Sequence, residues 1–109
     1  MSGKQLCRLI EDKLGRSPFH LPADGDIEQL VWCTGAAEGQ IEAAAALGAQ
    51  AYISGEVSEQ TYHLAQELGI HYFSAGHHAT ERFGARSLGG HLAQTFEMEH
   101  QFFDENNPV

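Results

Sequence analysis

The sequence predicts an α/β fold, a mostly parallel sheet of about four strands with helices on its faces. Two observations carry this. Short apolar runs alternate with helical segments of about ten residues, the rhythm of βαβ units. Each apolar run also ends on a small or polar residue followed by glycine, as a strand does when it turns toward a crossover helix.

In order along the chain, Ser2-Gly3-Lys4-Gln5 opens a helix, with Ser2 as cap and Gln5 as the return partner of a capping box. Leu6, Leu9, Ile10 and Leu14 repeat at helical spacing, and Gly15 supplies the stop. Residues 17–26, rich in Pro, Gly and Asp, read as a connector. Leu30-Val31-Trp32-Cys33 is the first strand run and ends at Thr34-Gly35. Residues 41–47 are Ala-rich and helical, and Gly48 ends them. Ala51-Tyr52-Ile53 is the second run, ending at Ser54-Gly55-Glu56. Ser58 caps a helix that reaches Leu68 and stops at Gly69. Ile70-His71-Tyr72-Phe73 is the third run, ending at Ser74-Ala75-Gly76-His77. A helix over residues 80–96 and a last strand over residues 101–104 complete the pattern. Two units follow: residues 1–26 as a linking helix and connector, and residues 27–109 as an α/β half.

With 109 residues the chain is the size of one domain. Its net charge of −9, from 15 acidic and 6 basic residues, argues against nucleic acid or an anionic membrane as partner. No apolar run approaches the ~20 residues of a membrane span, and the amino terminus lacks the apolar stretch of a signal peptide. Cys7 and Cys33 form no C-x-x-C and read as small buried apolar residues in a reducing, cytoplasmic setting.

Ligands of open parallel sheets bind beyond the carboxyl ends of the strands. Those ends here are Thr34-Gly35, Ser54-Gly55-Glu56 and Gly76-His77-His78, expected along one edge of the sheet. His77 and Glu81 are four apart and share a face if the turn after Gly76 passes straight into a helix. Imidazole nitrogen and carboxylate oxygen together suit iron, zinc, manganese or nickel. The alternative is a first helical turn with an exposed His and a dipole-favoured Glu. His78 points about 100° away from His77 and reads as a donor that supports a metal ligand, as a proton carrier, or as a surface histidine. Glu56 reads as a general base, as a group orienting a ligand, or as a carboxylate near a helix start. His63, in the helix after Ser58, could face that edge only from the first turns and reads as a structural or surface residue; His20, His71, His91 and His100 have no partner at ligand spacing and read as surface or core residues.

Several phrases taken together resemble a known family. They are Val31-Trp32-Cys33-Thr34-Gly35, Ile53-Ser54-Gly55-Glu56-Val57-Ser58-Glu59-Gln60-Thr61, Ala75-Gly76-His77-His78-Ala79-Thr80-Glu81-Arg82, Phe103-Asp104 and Asn107-Pro108-Val109. In this order they resemble the YbgI group of the NIF-three-like dinuclear metal proteins, the GTP cyclohydrolase I type 2 homologues. The resemblance implies two similar α/β halves, of which this chain corresponds to the linking helix and the carboxy-terminal half. It implies a two-metal centre between the halves, with His77 and Glu81 as ligands and a His-His pair and an Asp contributed by the other half. It further implies a homo-oligomer, ring-shaped and hexameric in full-length relatives. The expected function is half of a metal-dependent hydrolase, with ring hydrolysis of the cyclohydrolase type when complete, His77 and Glu81 holding metal, and Glu56 or His78 moving protons. The competing expectations are a non-catalytic assembly or interaction module, and a metal-handling protein.

Overall fold

A computed structural model describes all of residues 1–109. Its four-stranded sheet has the order β1-β4-β3-β2, with β1 Phe19–Leu21, β2 Leu30–Trp32, β3 Ala51–Ser54 and β4 His71–Ser74. The β2–β3 and β3–β4 pairs are parallel and the β1–β4 pair is antiparallel. The helices are α1 Gly3–Leu14, α2 Ile41–Ala46, α3 Glu59–Leu68 and α4 His77–Phe96. The α/β class and the mostly parallel sheet are those the sequence predicts.

Local chemistry sets the helix ends. Ser2 and Gln5 form the expected capping box at the start of α1, and Gly15 closes it at φ 68°. Ser58 caps α3 reciprocally with Thr61, and Gly69 ends it at φ 63°. Each such cap is worth about 1 kcal/mol. Two apolar clusters fill the sheet's faces. One joins Ile41, Ala44 and Ala65 to Tyr52 and Tyr72; the other joins Leu6, Ile10 and Ile27 to Ala51, Phe73 and Ala75. The sheet is thus sandwiched between α2 and α3 on one side and α1 on the other.

Four expectations need correction. Residues 17–26 are not only a connector, because Phe19–Leu21 pairs with β4 in the register His20↔Phe73. Pro18 and Pro22 bracket this strand, a placement an edge tolerates because proline has no N–H to give to a ladder. The last strand over residues 101–104 does not form. That segment runs back along α4, held by side chains rather than a ladder: Asp104 contacts His78 and Arg82, and the Val109 carbonyl accepts the His78 N–H at 2.9 Å. α4 begins at His77 and not near Thr80, because Gly76 turns the chain at φ 98° directly into the helix. Finally, Cys33 is exposed and Cys7 half-buried. Cys33 follows the edge strand β2, where only one neighbour can cover it.

Candidate metal and proton-transfer site

The three glycine-marked strand ends meet on one edge of the sheet. Gly55 N–H donates to the Gly35 carbonyl at 2.9 Å, and Gly76 N–H to the Gly55 carbonyl at 3.0 Å. Below them Ser54, fully buried, donates from Oγ to the Gly35 carbonyl at 3.2 Å and accepts the Ala37 N–H at 3.3 Å. Tyr52 and Tyr72 brace the same corner through the Ala37 and Glu56 carbonyls, at 2.7 and 2.5 Å. Burial holds the Tyr72 phenol far above its ordinary pKa, so it remains a donor.

Glycine is required where the corners touch. A Cβ on Gly55 would stand 2.6 Å from the Gly35 oxygen and 2.8 Å from the His77 Cα. One on Gly35 would collide with Glu81 Oε1 and lie 3.3 Å from His77 Nε2. The bare backbone at Gly35 therefore forms a wall of the space that His77 and Glu81 occupy.

His77 stands between two carboxylates. Its Nδ1 lies 2.6 Å from Glu56 Oε1 and its Nε2 lies 3.0 Å from Glu81 Oε2. The Glu56 hydrogen bond, with Glu81 adding to it, raises the His77 pKa above the usual imidazole value. Both ring nitrogens thus face acceptors, which favours the imidazolium when no cation competes. His77 and Glu81 do share one face at the start of α4, and Glu56 arrives from the neighbouring corner to fix the imidazole. No group of three His, Cys, Asp or Glu side chains in a metal-holding arrangement occurs in the chain.

His78 turns to the other side of the helix. Its Nε2 lies 2.9 Å from Asp104 Oδ1, while Asp104 Oδ2 accepts from Arg82 Nη1 at 2.9 Å. Arg82 also donates from Nη2 to the Leu14 carbonyl at 2.6 Å, tying the end of α1 to this cluster. Hydrogen bonding by His78, then the Arg82 charge, holds the Asp104 carboxyl below its usual range. An open cavity of about 310 Å³ is lined by His77, His78, Glu81, Arg82, Asn107 and Val109. The two histidines, which diverge on the helix, thus border one space.

His63, His91 and His100 are exposed. His20 and His71 form a pair that spacing along the chain did not reveal. His20 Nε2 is 3.0 Å from His71 Nδ1, and the His20 ring stacks on Phe73 at 4.3 Å. They lie 51 positions apart and meet only because β1 pairs with β4. Asp104 was also not singled out by spacing: it is 26 positions from His78 and reaches it only through the returning tail.

The model of the Duf34/NIF3 (NGG1p interacting factor 3) family matches residues 1–108. The chain belongs to this family. A GTP cyclohydrolase 1 type 2 homolog from Allochromatium vinosum is 56% identical over 101 residues, covering 92% of this chain and 40% of the relative. One from Pseudomonas aeruginosa is 48% identical over 109 residues, all of this chain and 43% of the relative. A solved structure described as protein ybgI, of unknown function, superposes with a TM-score of 0.95 at 41% identity, covering 100% of this chain and 45% of that one. This Duf34/NIF3 chain therefore spans less than half the length of the relatives it matches.

Proposed function

We propose that this Duf34/NIF3 chain contributes two ligands, His77 Nε2 and a Glu81 carboxylate oxygen, to a metal centre whose other ligands lie outside it, and that it acts as the carboxy-terminal portion of a metal-dependent hydrolase. The observation that carries this reading is the 3.0 Å approach of Nε2 and Oε2 beside the Cβ-free wall at Gly35. Two donors bonded to one ion at about 2.1 Å and at a right angle stand about 3 Å apart. The nitrogen and oxygen donors suit a divalent ion such as iron, zinc, manganese or nickel. A bound ion would supply Lewis acidity to the reaction. The chain's own residues do the rest. Glu56 accepts from His77 Nδ1 and so leaves Nε2 for the ion, the usual way a carboxylate orients a ligating imidazole. His78, on the adjoining wall of the cavity, moves protons. Ring hydrolysis of the cyclohydrolase type is the reaction to test first, on the name the relatives carry.

Two protein ligands are fewer than the three of an ordinary catalytic zinc site, so the isolated chain should bind weakly. Calorimetric titration with zinc and manganese should show micromolar or weaker binding that His77→Ala and Glu81→Ala abolish and His63→Ala leaves intact. Equal heats for the wild-type chain and the first two variants would overturn the reading.

A second reading has its own observation. An apolar groove of about 350 Å³ lies between α1, the sheet and α4, lined by residues such as Leu9, Leu30, Trp32 and Phe83, with Trp32 68% exposed beside it on the edge strand β2. Such a surface fits an assembly module that pairs with a second copy of the chain. Sedimentation of the metal-free chain as a clean monomer argues against it.

A further inference from the structure

We infer that Asp104 is a positioning residue for His78: it holds the imidazole in one orientation and one tautomer, with the proton on Nε2 and the free lone pair on Nδ1. This rests on the reading above only in the use His78 makes of that lone pair.

The inference starts from the donor and acceptor inventory. An ionised carboxylate only accepts, so the 2.9 Å contact of His78 Nε2 with Asp104 Oδ1 requires an N–H at Nε2. A neutral imidazole has one N–H, and Nδ1 is then the basic nitrogen. The carboxylate is itself held. Its Oδ2 takes a charge-assisted bond from Arg82 Nη1 at 2.9 Å, and its Oδ1 also accepts the Glu105 N–H at 3.0 Å. Arg82 is fixed in turn by the Leu14 carbonyl at the end of α1. The His78 backbone is pinned separately, by its N–H to the Val109 carbonyl.

The simpler alternative is that Asp104 only staples the tail to α4. A staple needs one strong partner, and Arg82 provides it. The imidazole contact adds nothing a staple requires, but it supplies what a proton carrier needs: a defined tautomer and a fixed ring. His77 differs: it has a carboxylate on each ring nitrogen, Glu56 on Nδ1 and Glu81 on Nε2, whereas His78 has one on Nε2 alone.

Nitrogen-15 NMR of the imidazoles in the metal-free chain tests this directly. With the imidazole neutral, in alkaline buffer, the expected result is a His78 spectrum of the Nε2–H form, which in Asp104→Ala becomes a mixture of the two tautomers. Asp104→Asn, whose side-chain oxygen can still accept, should keep more of the Nε2–H form than Asp104→Ala. Arg82→Gln removes the guanidinium that holds the carboxylate, so the His78 spectrum should move part of the way toward the mixture seen in Asp104→Ala. A wild-type His78 in the Nδ1–H form, or one unchanged in Asp104→Ala chains that remain folded by circular dichroism, would overturn the inference. Zinc titration of Asp104→Ala should match the wild type, so a failure of the metal reading and a failure of this one give different results.

Discussion

At Gly35 the missing methyl leaves the room that the Glu81 carboxylate fills. Gly15 and Gly35 both sit at φ 68°, so alanine at either pays the left-handed penalty of about 1–2 kcal/mol. They differ in their surroundings. A Cβ at Gly15 meets nothing within 4 Å, whereas one at Gly35 collides with Glu81. Gly15→Ala should therefore cost about 1–2 kcal/mol in urea denaturation and leave zinc binding intact. Gly35→Ala should cost at least as much and also displace Glu81, so zinc heats should vanish with it. Equal metal binding in the two variants would mean that the wall at Gly35 does not shape the site. The sequence already pointed to this residue, as a glycine at a strand's carboxyl end, but not to the reason. The reason is a contact with a side chain 46 positions away, which only the folded sheet brings near.

The elements show where sequence patterning holds and where it stops. α1 and α3 were legible because capping boxes and terminal glycines are local signals, complete within a few residues of the helix. β1 was not, because a three-residue edge strand between prolines carries no alternation to read, and its partner is found only in the tertiary fold. The tail forms no strand because Phe102 and Phe103 have strand propensity but no free ladder beside them; propensity without a neighbour does not make a strand. The same long-range character gives the β1–β4 contact its pH dependence. Desolvation, then the proximity of His71, lowers the His20 pKa below the ordinary imidazole value. The fold thus favours neutral His20, which donates from Nε2 while His71 Nδ1 also accepts the Ala23 N–H at 3.1 Å. A depressed pKa contributes stability that is present above the unfolded value, about 6.5, and lost as pH falls through the folded one. His77, with a raised pKa, works in the opposite sense: its contribution is present below the unfolded value and lost as pH rises through the folded one. Comparison of variants separates the two. The urea midpoint of His20→Phe, which keeps the stack on Phe73, should fall less than that of the wild type between pH 7.5 and pH 5. Parallel falls in both proteins would remove His20 as a source of the acid sensitivity.

For the whole molecule the balance is between a small core and several exposed apolar side chains. Only 22 of 109 residues are buried, and Ala79 is the sole buried residue of the 20-residue α4. The chain measures 51 × 26 × 23 Å, and a helix of that length spans about 30 Å. Leu88 and Phe96 on α4 are 59% and 64% exposed, and Trp32 on the sheet edge is 68% exposed. Burying one such side chain is worth about 1.5–3 kcal/mol, a strong drive toward association. The net charge of −9 opposes it, since two copies repel. Which effect wins depends on salt, because screening weakens the repulsion while leaving apolar burial in place. If these side chains pair copies of the chain, the sedimentation coefficient should rise with protein concentration, and rise further between about 50 mM and about 500 mM salt, where the Debye length shrinks severalfold. Trp32→Ser and Leu88→Ser change exposed positions, so both variants should fold while associating less at every salt concentration. A monomer throughout that range, or variants that associate as well as the wild type, would show that charge and solvent suffice to keep these surfaces apart.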